Sequence, residues 1–150
     1  MKAVIQRVSE ASVTIDGEVK DSIKKGYLIL LGIGQDDSSE DVAWLAKKIT
    51  DLRVFSDEEG KMNLNIAEVD GEILVISQFT LHAKTKKGTR PSFIRAARPE
   101  QAIPLYEQML ATLESITTKR TANGTFGADM KVDLTNDGPV TIIIDTKDKQ

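Results

Sequence analysis

The sequence predicts an α+β fold: an antiparallel-rich, barrel-like β-sheet core with about two helices packed on it. Three observations predict it. Asp16-Gly17 stands between two short strand-like segments, Ser12–Ile15 and Glu18–Ile23, and this dipeptide is a strong hairpin signal. Two apolar runs, Tyr27–Ile33 and the one that opens at Ile73, have the length of strands buried on both faces. Two longer segments repeat apolar residues at helical spacing, and such stripes need a sheet to cover them.

In chain order, Lys2–Val8 alternates as an opening strand, with Arg7 on the same face as Ala3 and Ile5. That is an unusual place for arginine, and implies either a solvated strand end or a buried cation with a specific partner. The Asp16-Gly17 hairpin and the Tyr27–Ile33 strand complete a β-meander. Ser38 followed by Asp41 resembles a capping box, and Val42, Leu45, Ile49 and Leu52 give residues 39–51 one apolar helical stripe beside Trp44. Arg53–Ser56 is a short strand, Asp57–Gly60 a turn, Met62–Ile66 a weak strand, and Asp70-Gly71 turns into the Ile73 strand.

Pro99 suits the first turn of a second helix whose apolar face is Ile103, Tyr106, Leu110, Leu113 and Ile116, with Pro104 expected to restart or kink it. Met130–Leu134 and Val140–Asp145 then read as a last pair of strands, joined by a turn at Asn136-Asp137-Gly138-Pro139.

Composition narrows the function. A chain of 150 residues with 40% hydrophobic and 29% charged residues fits a single domain, 1–150, with an ordinary core. It contains no apolar run of membrane-spanning length and no signal-peptide layout, so a cytoplasmic protein without membrane contact is expected. There is no cysteine and only one histidine, which argues against disulfides, thiolate chemistry and a zinc site; no metal or cofactor is expected. Net charge is −3, so a global positive field is absent, but Lys84, Lys86, Lys87, Arg90, Arg95 and Arg98 cluster with no acidic residue among them. Such a patch suits phosphates, or is simply a solvated loop.

The chemistry concentrates in Ile73–Lys84, ILVISQFTLHAK, where a core strand turns polar at Ser77, Gln78, Thr80 and His82. Such a strand is either emerging into solvent or lining a pocket. As a strand it would put Gln78, Thr80 and His82 on one face, permitting a Thr80–His82 dyad, although no carboxylate is placed to orient the imidazole. Gly138-Pro139 is ordinary turn chemistry taken alone.

Together and in this order, the segments AVIQRVSEASVTIDGEV, SQFTLHA, KGTRPSF and FGADMKVDLTNDGPVTI resemble the bacterial D-aminoacyl-tRNA deacylase family over essentially the whole chain. Its two signatures, SQFTL at Ser77–Leu81 and Asn-x-Gly-Pro-Val-Thr at Asn136–Thr141, are intact. The resemblance implies a homodimer with active sites at the subunit interface. It implies hydrolysis of the ester joining a D-amino acid to the 3′-terminal adenosine of tRNA, and of glycyl-tRNA mischarged on tRNA(Ala), with L-aminoacyl-tRNA rejected as translation quality control. Gly138-Pro139 would be cis and would enter the partner's site, held by Arg7. Ser77, Gln78, Phe79 and Thr80 would surround the aminoacyl-adenosine, with Thr80 and the Phe79 backbone near the ester. Phe126 and Met130 would wall the adenine and amino group. Lys84, Lys86, Lys87 and Arg90 are assigned to the RNA backbone, and the ribose 2′-OH would assist hydrolysis in place of a side-chain base. Two other classes fit the residues without the resemblance: a non-catalytic module that binds RNA ends through the basic segment, and a small-ester hydrolase built on Thr80 and His82.

Overall fold

In the computed structural model, which describes residues 1–150, a single strand organises the sheet. β1 (Lys2–Ile15) unites the expected opening strand with the first arm of the hairpin. One of its edges pairs with β8 (Lys131–Asp145) along almost its whole length, from Lys2↔Asp145 to Thr14↔Lys131. The other edge is shared end to end: β3 (Gly26–Gly32) pairs with residues 2–8 and β2 (Glu18–Ile23) with residues 11–15. The order β2-β1-β3 replaces the expected meander, because a 14-residue strand is long enough to serve both partners. Asp16 (φ 52°) and Gly17 (φ 79°) make the hairpin turn with two positive φ values, as the dipeptide predicts.

β6 (Glu72–Ser77) pairs with β3 in parallel, and β7 (Ala122–Asn123) pairs with β6 in parallel, so the nearly closed sheet is mixed. A separate short ribbon joins β4 (Phe55–Ser56) to β5 (Met62–Leu64). β3 and β6 are buried on both faces, as their apolar runs predict. Tyr27, Ile29, Ile73 and Val75 face the main core beneath the helices, while Leu28, Leu74 and Ile76 face a second cluster with Val8, Ala11, Val13 and Ile23. Register shifts in β1 at Gln6/Val8 and Val8/Glu10 change which side chains point inward, so one strand feeds both clusters.

α1 (Ser39–Asp51) starts and ends where its pattern predicts, and the Asp41 carboxylate accepts the Ser38 N–H at 2.9 Å. α2 (Pro99–Thr117) departs from expectation twice. It continues through Pro104, which lies close enough to the start that only the bond to the exposed Glu100 carbonyl is forfeited. Its buried stripe is Ala102, Leu105, Tyr106, Met109 and Leu113, whereas Ile103 and Ile116 face out. The helix carries apolar residues around most of its circumference, so periodicity alone did not select the face that meets α1.

The main core is closed at one end by an ion pair. The Met1 ammonium donates to Asp37 Oδ1 and to Thr146 Oγ1 (2.8 Å), and Asp37 Oδ2 accepts the Gly34 N–H at 2.7 Å. Both charged groups are out of water, with 0% and 1% side-chain exposure. Asp37→Ala therefore strands a buried cation and is expected to lower the free energy of unfolding by about 3–5 kcal/mol in urea titrations. A loss below about 1 kcal/mol, the range of surface pairs, would contradict this.

Candidate functional site

β6 ends at Ser77 because the chain leaves the ladder there. Gln78 makes a last strand-like bond to the Leu31 carbonyl (2.7 Å), and Phe79–His82 coil into a 3-10 turn. Gly32 and Gly34 at the neighbouring strand end make room for that turn. A Cβ on Gly32 would lie 2.9 Å from both the Gln78 carbonyl and Leu81 Cβ, and one on Gly34 would lie 3.0 Å from the His82 ring. The expected strand through His82 is thus overturned, and with it the shared face on which the Thr80–His82 dyad depended. His82 packs over the two glycines with its Nε2 buried and unpartnered.

Thr80 is exposed and has a different partner: Gln78 Nε2 donates to Thr80 Oγ1. Accepting that bond leaves the threonine proton free to be donated outward. No base is hydrogen-bonded to the hydroxyl, so the arrangement suits donation to a developing oxyanion better than nucleophilic attack. The N–H groups of Phe79 and Thr80 open the turn and have no acceptor within it. Beside Val75 and Ile76, the Tyr106 hydroxyl donates to the Val75 carbonyl (2.8 Å) and its ring meets Phe126 at 6.0 Å. Burial outweighs hydrogen bonding at Gly124 and pushes the Tyr106 hydroxyl up to about 12, so it remains a donor at neutral pH. Met130 lies over Gly124, whose bare backbone admits the sulfur at contact distance. Phe126 and Met130, both half-buried, follow β7 and flank the end of β6 from opposite sides, Phe126 packed against the main core and Met130 against the second cluster.

The second signature takes a form unlike the expected turn. β8 is one continuous strand, and Asp137–Val140 bulge from it opposite the single residue Arg7, between the pairs Gln6↔Thr141 and Val8↔Asn136. The Gly138–Pro139 peptide is cis and exposed. Two side chains hold the bulge. Half-buried Arg7 donates from Nε to the Asp137 carbonyl (2.8 Å) and from Nη1 to the Val54 carbonyl (2.7 Å). This is the specific partner that an arginine on that strand face requires. Asn136 Oδ1 accepts the Val140 N–H (2.8 Å) while its Nδ2 reaches Thr141 Oγ1 (3.1 Å), clamping the bulge from its own base. Asn136 was visible as a signature residue, but nothing in the sequence told that its side chain closes a bulge.

The two signatures do not meet within one chain. Ser77 is opposite Leu31 and Leu31 opposite Ala3, four residues along β1 from Arg7 and three strand spacings from β8. By strand dimensions that separation is roughly 20 Å along the sheet. The cationic side chains of Lys84, Lys86, Lys87 and Arg90 are exposed on the segment after the 3-10 turn, which an antiparallel bridge between Lys84 and Ser92 folds back on itself.

The chain is similar to known proteins over nearly its whole length. Residues 4–145 match the model of the family described as D-Tyr-tRNA(Tyr) deacylase. The D-aminoacyl-tRNA deacylases of Bacteroides fragilis (strain YCH46) and Flavobacterium psychrophilum are 63% and 57% identical to it over 150 residues, covering all of each chain. A solved structure called c-Myc DNA unwinding element binding protein superposes with a TM-score of 0.91 at 42% identity, covering 97% of this chain and 99% of that one. One described as a probable eukaryotic D-amino acid tRNA deacylase shares the fold at a TM-score of 0.81, with 14% identity and coverage of 95% and 97%. The chain is therefore a hydrolase of the class that acts on aminoacyl-tRNA. It belongs to the D-Tyr-tRNA(Tyr) deacylase family.

Proposed function

We propose that this deacylase cleaves the ester of D-aminoacyl-tRNA, and of glycyl-tRNA mischarged on tRNA(Ala), in a site that two copies of the chain build together in the cytoplasm. The observation that carries this reading is the separation of two exposed, internally braced signatures by roughly 20 Å of sheet. One aminoacyl-adenosine cannot touch both in one chain, so a second copy brings Gly138–Pro139 to the Ser77–Thr80 end of its partner. The exposed alternation of β8, with Ile143 73% exposed, leaves apolar sheet surface for such a copy to cover.

In this site Thr80, positioned by Gln78, donates to the oxyanion together with the Phe79 backbone N–H, and Ser77 lines the pocket mouth. Phe126 and Met130 form the wall. Chirality is decided by exclusion. The two enantiomers differ only in where Cα directs its side chain, so a rigid backbone placed on the L side rejects L substrates without contributing affinity for D. Glycine, lacking a side chain, passes the same filter. Arg7 touches no substrate and holds the excluding loop in place. Purified protein is expected to deacylate D-tyrosyl-tRNA and spare L-tyrosyl-tRNA; equal hydrolysis of both would overturn the exclusion reading, and hydrolysis of neither would favour a binding module.

Lys84, Lys86, Lys87 and Arg90 are assigned to tRNA phosphates. Replacing Lys86 and Lys87 with alanine is expected to raise KM for tRNA and to lower the steepness of its salt dependence by about 1–2 in the log–log slope. Discrimination between D and L substrates should stay as it was. An unchanged slope would show that these lysines only face solvent.

A further inference from the structure

We infer that Phe79 and Phe93 form a stacking platform for an unpaired RNA base, that of the nucleotide preceding the terminal adenosine; this rests on the deacylase reading above. Phe79 is 54% exposed, Phe93 36% and Ile94 70%, a cluster of bare apolar side chains on an otherwise polar surface. The two rings meet edge to face, with centroids 5.1 Å apart and planes inclined at 78°.

The platform is built on held backbone. Lys84 and Ser92 exchange two hydrogen bonds (2.8 and 3.0 Å), Ala96 N–H donates to the Phe93 carbonyl (3.0 Å), and Gln35 donates to the Ile94 carbonyl (2.6 Å) and the Arg95 carbonyl (3.1 Å). Ordering a ligand against a surface already fixed costs less than ordering both.

Charge selects the occupant. Lys84, Lys86, Lys87, Arg90, Arg95 and Arg98 are all exposed, none enters a salt bridge, and no carboxylate lies among them in the sequence. Aromatic faces set among free cations are the combination that binds single-stranded nucleic acid. A second protein copy laid over Phe93 and the basic segment around it would face unneutralised like charges, which protein interfaces avoid at their centres. Phe79 immediately precedes Thr80, where the esterified adenosine belongs, so the base over the platform is the one before it.

The test uses 3′-(D-tyrosyl)amino-3′-deoxyadenosine, a non-hydrolysable analogue, alone and extended on its 5′ side by two cytidines. Calorimetry is expected to show that Phe93→Ala weakens the extended analogue about ten- to hundredfold, leaves the mononucleoside analogue unchanged, and is rescued by Phe93→Trp. Removing the penultimate base from the extended analogue should cost the wild type a similar factor and the Phe93→Ala variant nothing further. Equal weakening of both analogues, or of neither, would overturn the platform, as would conversion of the variant to monomers in sedimentation. Hydrolysis of D-tyrosyl-tRNA by the wild type is measured beside this. If hydrolysis fails while the pattern of binding holds, the catalytic reading falls and the platform stands.

Discussion

Gly138→Ala is expected to reduce kcat/KM for D-tyrosyl-tRNA by at least about a hundredfold, in a protein that still folds. Gly138 has φ +149°, a region L residues rarely adopt, and a Cβ there would lie 2.8 Å from both Val140 Cγ2 and the Val140 nitrogen. It would also lie 3.3 Å from Arg7 Nη2, the guanidinium that braces the bulge. The alanine therefore moves the loop and loosens its brace in one step. Displacements of about 1 Å at a reacting geometry cost on the order of a hundredfold. Folding should survive because Gly138 and Pro139 are exposed and belong to neither core cluster. Steady-state kinetics with thermal melts separates the two effects. A variant as active as the wild type would remove Gly138–Pro139 from the site.

Thr80→Ala is expected to lower kcat by about 10²–10³-fold, the usual cost of deleting one oxyanion donor, with little change in KM. The Gln78 amide loses its acceptor but remains near solvent, so stability should change by less than about 1 kcal/mol. His82→Ala separates this role from a dyad. His82 makes no hydrogen bond through Nε2 and shares none with Thr80, so its loss should leave kcat within about threefold. A drop as deep as that of Thr80→Ala would restore the dyad. A covalent adduct on Thr80 in quenched reactions would show nucleophilic attack in place of donation.

The legible parts of the fold were those that local chemistry decides. α1 was fully readable because a capping box and an apolar stripe agree over Ser38–Leu52. The doubly buried strands were readable because Tyr27–Ile33 and Ile73–Ile76 interrupt their apolar runs with nothing polar. Long-range pairing was not. That β8 is one strand rather than two depends on β1 being long enough to pair with both of its halves. A Gly-Pro pair reads as a turn unless that partner is known. The site was misread in the same way. Period two carries Gln78, Thr80 and His82 onto one face only while the chain stays extended, and the glycines that let it coil, Gly32 and Gly34, lie some 45 residues earlier in sequence, outside any local pattern. Arg7 was the exception. An arginine on an apolar strand face announces a partner, and Asp137 and Val54 supply the carbonyls.

The central claim is that Thr80 of one copy works with Gly138–Pro139 of the other. The most direct measurement mixes inactive Thr80→Ala protein with inactive Gly138→Ala protein, after dissociation and reassociation, and follows D-tyrosyl-tRNA hydrolysis. In a mixed dimer one site carries both lesions and the other carries neither, so random pairing should return about a quarter of wild-type activity. If the two signatures served the same chain, every site would keep one lesion, and a mixture no more active than its separate components would contradict the shared site.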